Sequence, residues 1–143
     1  MRHTIHKVTF ATLSLAAFAA GCHRGPDLGT VTGTVRVNGQ PLPFAYVRFQ
    51  PFNPPGTYGS AYTDKDGKYE LQFSKSYRGA PIGQHRITIR PASGEELPED
   101  GRPVAAVQLP DRFTSGGEVI REVKPGHNVH DFDIQAPPIV SSL

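Results

Sequence analysis

The sequence holds a single cysteine in 143 residues, so no internal disulfide can staple it and its fold must rest on one hydrophobic core, for which the length is sufficient. Helical periodicity is missing after residue 22, which removes a helical bundle from consideration. Excess charge is missing too. Of the 15 Lys and Arg, Arg2 and Lys7 fall in the first 21 residues, leaving basic and acidic side chains balanced at 13 each in the remainder. Such a surface attracts phosphate backbones weakly, and no nucleic-acid partner is expected. Nor does any nucleophile come with a positioned base, or any set of His, Cys, Asp and Glu with complete metal-ligand spacing. The sequence therefore assigns no catalytic residue, no cofactor and no metal site.

What is present is turn chemistry. With 14 Pro, 15 Gly and 37% hydrophobic residues, the composition is that of an ordinary globular chain built from many short strands. The N-terminus differs from the rest. Arg2 and Lys7 form a basic start, and Val8 to Ala20 form an apolar run too short to span a membrane comfortably. The run ends in Ala19-Ala20-Gly21-Cys22, which resembles the lipobox of bacterial lipoproteins, with Ala19 where that pattern usually has a larger aliphatic residue. The resemblance implies a signal peptide over residues 1–21 and a diacylglycerol thioether on Cys22. It also explains a lone thiol in an exported protein.

After the linker, residues 22–29, Thr30 to Val37 alternates, with Val31, Gly33, Val35 and Val37 on one face. Asn38-Gly39 is a turn dipeptide, and Ala45, Val47 and Phe49 face inward in a second strand against Tyr46, Arg48 and Gln50. Asp64, Asp66 and Gly67 are structural turn residues between strands three and four, after which Tyr69, Leu71 and Phe73 share a face. The fifth strand, His85 to Arg90, points Ile87 and Ile89 inward. Pro91 to Gly117 alternates little and reads as a long loop, with Phe113 pinning Leu109-Pro110-Asp111-Arg112 to the core and the two charges forming a solvated pair. Strands six and seven, Glu118 to Val123 and Asn128 to Ile134, are joined by Lys124-Pro125-Gly126-His127 as a hairpin turn. Seven strands at this spacing predict an all-β, two-sheet sandwich.

Val31-Thr32-Gly33-Thr34-Val35, Asn38-Gly39-Gln40-Pro41-Leu42, Ala45-Tyr46-Val47, Thr63 to Tyr69 and Pro81 to His85 resemble the carboxypeptidase regulatory-like domain of the transthyretin-like superfamily. The resemblance implies a seven-stranded Greek-key sandwich over residues 30–136, with a tail at 137–143, and a binding or architectural module without chemistry of its own. The superfamily's 5-hydroxyisourate hydrolases suggest an alternative, because Ser76-Tyr77-Arg78-Gly79 resembles their terminal motif. Here, however, it lies mid-chain and their first-strand histidine has no counterpart.

Two further groupings read as structure. Asp64-Lys65-Asp66-Gly67 begins like a calcium loop, but Lys75 stands where the closing carboxylate belongs. His127 and His130, three apart on a strand, face opposite ways, and His130 is expected as a half-buried packing residue. The expectation is thus a non-catalytic, lipid-anchored, extracytoplasmic module of the cell envelope. Its partners would be the membrane, through Cys22, and an envelope protein or a glycan met by Tyr46, Phe52, Tyr58 and Tyr62, with a carbohydrate-binding module as a variant of that reading. His23, in place of the aspartate of inner-membrane retention, points by analogy to the outer membrane.

Cys22→Ser should move the protein from the membrane fraction to the soluble one, since each buried methylene of an acyl chain contributes about 0.8 kcal/mol to anchoring. Mass spectrometry of the native N-terminus checks the chemistry. An unmodified Cys22, or cleavage elsewhere, would remove the anchor.

Overall fold

Alternation along Leu28–Val37 produces one long strand, β1, with two usable edges, and half of the protein is arranged along them. The computed structural model describes residues 25–52, 56–91, 107–115 and 118–137. Residues 1–24, which include Cys22, and residues 53–55, 92–106, 116–117 and 138–143 lie outside them. The remaining elements are β2 (Gln40–Pro41), β3 (Tyr46–Pro51), β4 (Gly59–Tyr62), β5 (Lys68–Glu70), β6 (Ala80–Pro81), β7 (Gly83–Arg90), the short helix α1 (Asp111–Thr114), β8 (Ile120–Val123), β9 (Gly126–Val129) and β10 (Phe132–Ile134). They form two sheets packed as a sandwich, as the strand spacing predicts, and β1 begins at Leu28, inside the expected linker.

In the first sheet, β6, β5 and β2 run antiparallel along one edge of β1, while β9 and β10 run parallel along the other. The second sheet is antiparallel in the order β4-β3-β7-β8. Between them lie Val31, Val35, Tyr69, Leu71, Phe132 and Ile134 from the first sheet and Val47, Phe49, Ile87, Ile89 and Val123 from the second, all buried. Each such aliphatic or aromatic side chain contributes roughly 1.5–3 kcal/mol on leaving water. Phe113 and Leu109 close one side of this core as expected, but Asp111 and Arg112 form no ion pair; the Arg112 guanidinium lies 5.1 Å from the Phe113 ring centre instead.

Three expectations change at the connections. Strands six and seven do not form a hairpin, because β8 pairs with β7 in one sheet whereas β9 pairs with β1 in the other. The crossover is set by Asn128, whose Oδ1 accepts from the Lys124 N–H at 2.9 Å and whose Nδ2 donates to the Lys124 carbonyl at 2.8 Å. The expected last strand is broken at His130-Asp131 into β9 and β10. There the Thr34 N–H donates to Asp131 Oδ1 at 2.7 Å, so a side chain substitutes for a ladder carbonyl. The displaced His130 carbonyl turns inward to accept the Tyr69 hydroxyl at 2.6 Å, where a Cβ on Gly33 would sit 1.9 Å from it.

The turn at Asp64 to Gly67 forms, but its arms also part. β4 pairs with β3 and β5 with β1, and the two meet again only at the Ser60–Gln72 bridge. Asp64 Oδ1 accepts from the N–H groups of Asp66 and Lys68 at 2.8 and 2.9 Å, and the Gly67 N–H donates to the Asp64 carbonyl at 3.0 Å. Asn38 and Gly39, with φ of 50° and 81°, make the tight β1–β2 turn that their dipeptide predicts.

Gly67 has φ +74°, and a Cβ there would lie 2.6 Å from the Val35 carbonyl oxygen. Gly67→Val should cost on the order of 1–3 kcal/mol from backbone strain, with the close approach adding to it. Gly39→Ala, in open space at φ +81°, isolates the conformational part and should cost less. Thermal unfolding of the two variants checks the order.

Candidate functional site

The solvent side of the β4-β3-β7 sheet gathers Phe52, Tyr58, Tyr62 and three arginines onto one face. Strand alternation puts them there: Val47, Phe49, Ile87 and Ile89 take the inward positions, so Tyr46, Arg48 and Gln50 on β3 and Arg86, Thr88 and Arg90 on β7 point out. Register does the rest. Tyr46 lies opposite Tyr62 on one side and Arg90 on the other, with the two tyrosine rings 5.2 Å apart and the Arg90 guanidinium 5.3 Å from the Tyr46 ring centre. Arg48 lies over Tyr58 at 4.1 Å, and Arg86, opposite Gln50, lies over Phe52 at 4.8 Å. Each contact is worth about 0.5–1 kcal/mol at an exposed site.

These rings stay open to solvent, with Phe52 at 38%, Tyr58 at 39% and Tyr62 at 49% exposure, so the arginines cover them only in part. Among the described residues the one ion pair is Arg78–Glu70 at 3.4 Å. Arg48, Arg86 and Arg90 thus carry charge on rings without a carboxylate partner among those residues. Arg48 Nη2 donates to Gln50 Oε1, while its Nε is buried without a hydrogen-bond partner. An open groove of about 360 Å³ extends this face past Phe52, between Gly56, Ile82 and Gln84.

A larger open groove, about 520 Å³, lies along Thr32, Thr34, Lys68, Glu70 and Asp131. Its carboxylates have structural tasks, since Asp131 holds the Thr34 N–H and Asp64, also on its lining, closes the turn. Mixed charge and spent acceptors make it a poorer ligand surface than the arginine-bearing face.

The histidines separate as their spacing predicts, and His130 is half-buried as expected. His127 lies outside, its ring nitrogens 3.3 Å from the Thr30 and Thr32 hydroxyls. His130 packs on Phe49 at 5.7 Å between ring centres, with Nε2 at 3.1 Å from the Glu122 carbonyl. His85, not His130, is the fully buried one: its ring is 6.0 Å from Phe49, its Nδ1 is 3.0 Å from the Gly83 carbonyl, and its Nε2 has no hydrogen-bond partner. Burial lowers the pKa of His85, with the Gly83 carbonyl opposing and nearby His130 reinforcing the shift. Burial likewise lowers that of His130, against the Glu122 carbonyl and Asp131 and with Arg121 adding to the shift. Tyr69 is pushed far up, chiefly by burial and then by Asp131, with Arg121 opposing, and so keeps its proton to donate to the His130 carbonyl.

Of the residues singled out by sequence, Asp64, Asp66 and Gly67 form the turn, Tyr46, Phe52, Tyr58 and Tyr62 converge on one face, and Cys22 lies outside the described residues. Ser76 to Gly79 serves as connection, with Arg78 paired to Glu70 and the Gly79 N–H donating to the Leu71 carbonyl at 2.7 Å. Sequence reading placed the arginines outward without joining them to the aromatics. Their shared parity with Tyr46 was the available signal, but the β3–β7 register was needed to use it.

No family model matches the chain, and no curated protein matches it. Among solved structures it is similar to a DUF3823 family protein from Parabacteroides merdae, with a TM-score of 0.46 and 15% identity over 78% of this chain and 48% of that one. It is similar also to a 9R-lipoxygenase from Cyanothece, with a TM-score of 0.32 and 16% identity over 78% of this chain and 17% of that one. The chain spans about half the length of the first of these and a smaller part of the second.

The buried histidines give stability a pH dependence with a definite sign. Because the folded pKa of His85 lies below the ordinary 6.5, the unfolded chain binds the extra proton first on acidification. Stability from this group is complete above about pH 6.5 and is lost as pH falls toward the lowered folded value. The thermal midpoint should therefore drop from about pH 7.5 to about pH 5, and His85→Leu should flatten the dependence. A midpoint that rises on acidification would contradict a neutral buried ring.

Proposed function

We propose that this protein is a lipid-anchored, extracytoplasmic binding module of the cell envelope, built on a transthyretin-like sandwich, and that it binds through the solvent face of the β4-β3-β7 sheet. One observation carries the choice of surface: three arginines lie over Tyr46, Tyr58 and Phe52 on a single sheet face without a carboxylate partner among the described residues. Aromatic and arginine side chains are the types that dominate binding energy at interfaces. The anchor part of the reading is supported by Ala19-Ala20-Gly21-Cys22 and the basic, then apolar, run before it.

The module is proposed as non-catalytic because each of the three histidines among the described residues has a structural engagement. His127 meets threonine hydroxyls, His130 meets the Glu122 carbonyl, and His85 is buried in the core. Only His127 sets ring nitrogens beside hydroxyls, and with both nitrogens engaged by Thr30 and Thr32 no carboxylate among the described residues orients the ring as a base.

A photoreactive benzophenone side chain placed at Tyr58, or at Asp133 on the other sheet as control, tests the surface in intact cells. Adducts are expected from position 58 alone; adducts from both positions, or from 133 only, would remove the face from consideration. The same chain should not turn over 5-hydroxyisourate. Hydrolysis abolished by His127→Ala in a folded protein would replace the binding reading with an enzymatic one.

A further inference from the structure

We propose that the arginine-bearing face takes an acidic polysaccharide, a polymer whose sugar units carry carboxylates at regular intervals. This rests on the reading of that face as the binding surface and adds the chemistry of the ligand.

Charge is the first ground. The outward positions of the four strands hold Arg48, Arg86 and Arg90 against one acid, Glu122, whose register partner is the neutral Gln84. A guanidinium cannot shed its proton to relieve this excess, and no carboxylate among the described residues pairs with these three, so an anionic ligand complements the face. Donor geometry is the second. A guanidinium held over a ring spends no N–H on the ring, and its planar fork remains free for the two oxygens of a carboxylate. Among the described residues Arg86 and Arg90 are in this state, whereas Arg48 commits one donor to Gln50.

Repetition is the third ground, and it selects a polymer. Along β3 the outward positions Tyr46, Arg48 and Gln50 step by two residues, about 7 Å each. At successive steps the positive charge comes from Arg90 on β7, from Arg48 itself, and from Arg86 on β7. Each charge has its own ring, so cationic and apolar groups recur together along one line. A sugar chain offers the matching sequence of C–H faces and anionic groups. Other partners fit less well: an extended peptide would seek the backbone of a strand edge, which this face does not present, and nucleic acid would require a large overall positive excess, whereas the chain's net charge is only +2.

Affinity electrophoresis of the full chain in detergent tests the class, using polygalacturonate, its methyl ester, polyphosphate and phosphatidylglycerol vesicles as probes. Polygalacturonate should retard the protein, and the methyl ester, with the same backbone and no charge, should bind at least about tenfold more weakly. The double variant Arg86→Gln, Arg90→Gln should lose about the same factor, Arg86→Lys should keep part of the binding, and Arg36→Gln on the other sheet should leave it unchanged. Unaltered thermal unfolding of each variant keeps these comparisons valid.

Equal binding of polygalacturonate and its ester, lost on Tyr58→Ala or Tyr62→Ala, would overturn the acidic class while leaving the face as the binding surface. Polyphosphate or vesicles bound as tightly as polygalacturonate would overturn the polysaccharide. Absence of all binding, with crosslinks still formed from position 58, would overturn this inference alone. Absence of those crosslinks would count against the underlying reading.

Discussion

The structure depends on a single carbonyl, that of His130, being admitted to the middle of β1. The approach is possible because Gly33 has no side chain to meet it, and it is held because the Tyr69 hydroxyl donates to it from the opposite edge of the strand. A buried carbonyl without a donor would cost about 1–3 kcal/mol, and a phenol kept neutral by burial supplies that donor at every ordinary pH. The same local break lets Asp131 cap the Thr34 N–H and aligns Phe132 and Ile134 with the core. Gly33, Tyr69 and Asp131 therefore act as one unit, although they come from three separate segments of the chain.

Local alternation made most of the sandwich legible. Val31, Val35 and Val37, then Ala45, Val47 and Phe49, then Ile87 and Ile89, are buried as a period of two requires, and Asn38-Gly39 makes its turn. Pairing partners were not legible in the same way. A turn such as Lys124 to His127 looks alike whether its arms stay in one sheet or part to two, and the choice is made by Asn128, whose amide reaches Thr30 and Lys124 at once. His85 shares parity with Ile87 and Ile89, but a polar ring between arginine and glutamine gave no local sign of full burial. The candidate site was half legible for a related reason: its aromatics stand out in the sequence, whereas its arginines acquire their meaning from cross-strand register.

Strand β3 links the two regimes. Its inward Phe49 is the ring on which His85, His130, Tyr69 and Phe132 converge, with centres 5.7–6.5 Å away. Its outward Arg48, one residue earlier, lies over Tyr58. Packing that fixes Phe49 therefore also fixes the backbone from which the solvent face is displayed, and a rigid strand is a more accurate mount for such groups than a loop.

The parallel pairing of β1 with β9 and β10 has a consequence in time. A chain that emerges N-terminus first presents β1 early, but the residues that occupy its second edge, Gly126–Val129 and Phe132–Ile134, come last. Until then the hydrogen-bonding groups on the second edge of the strand lack their partners, and closing such distant pairs is slow. The first strand is thus completed only after every other described strand of the sandwich has been made.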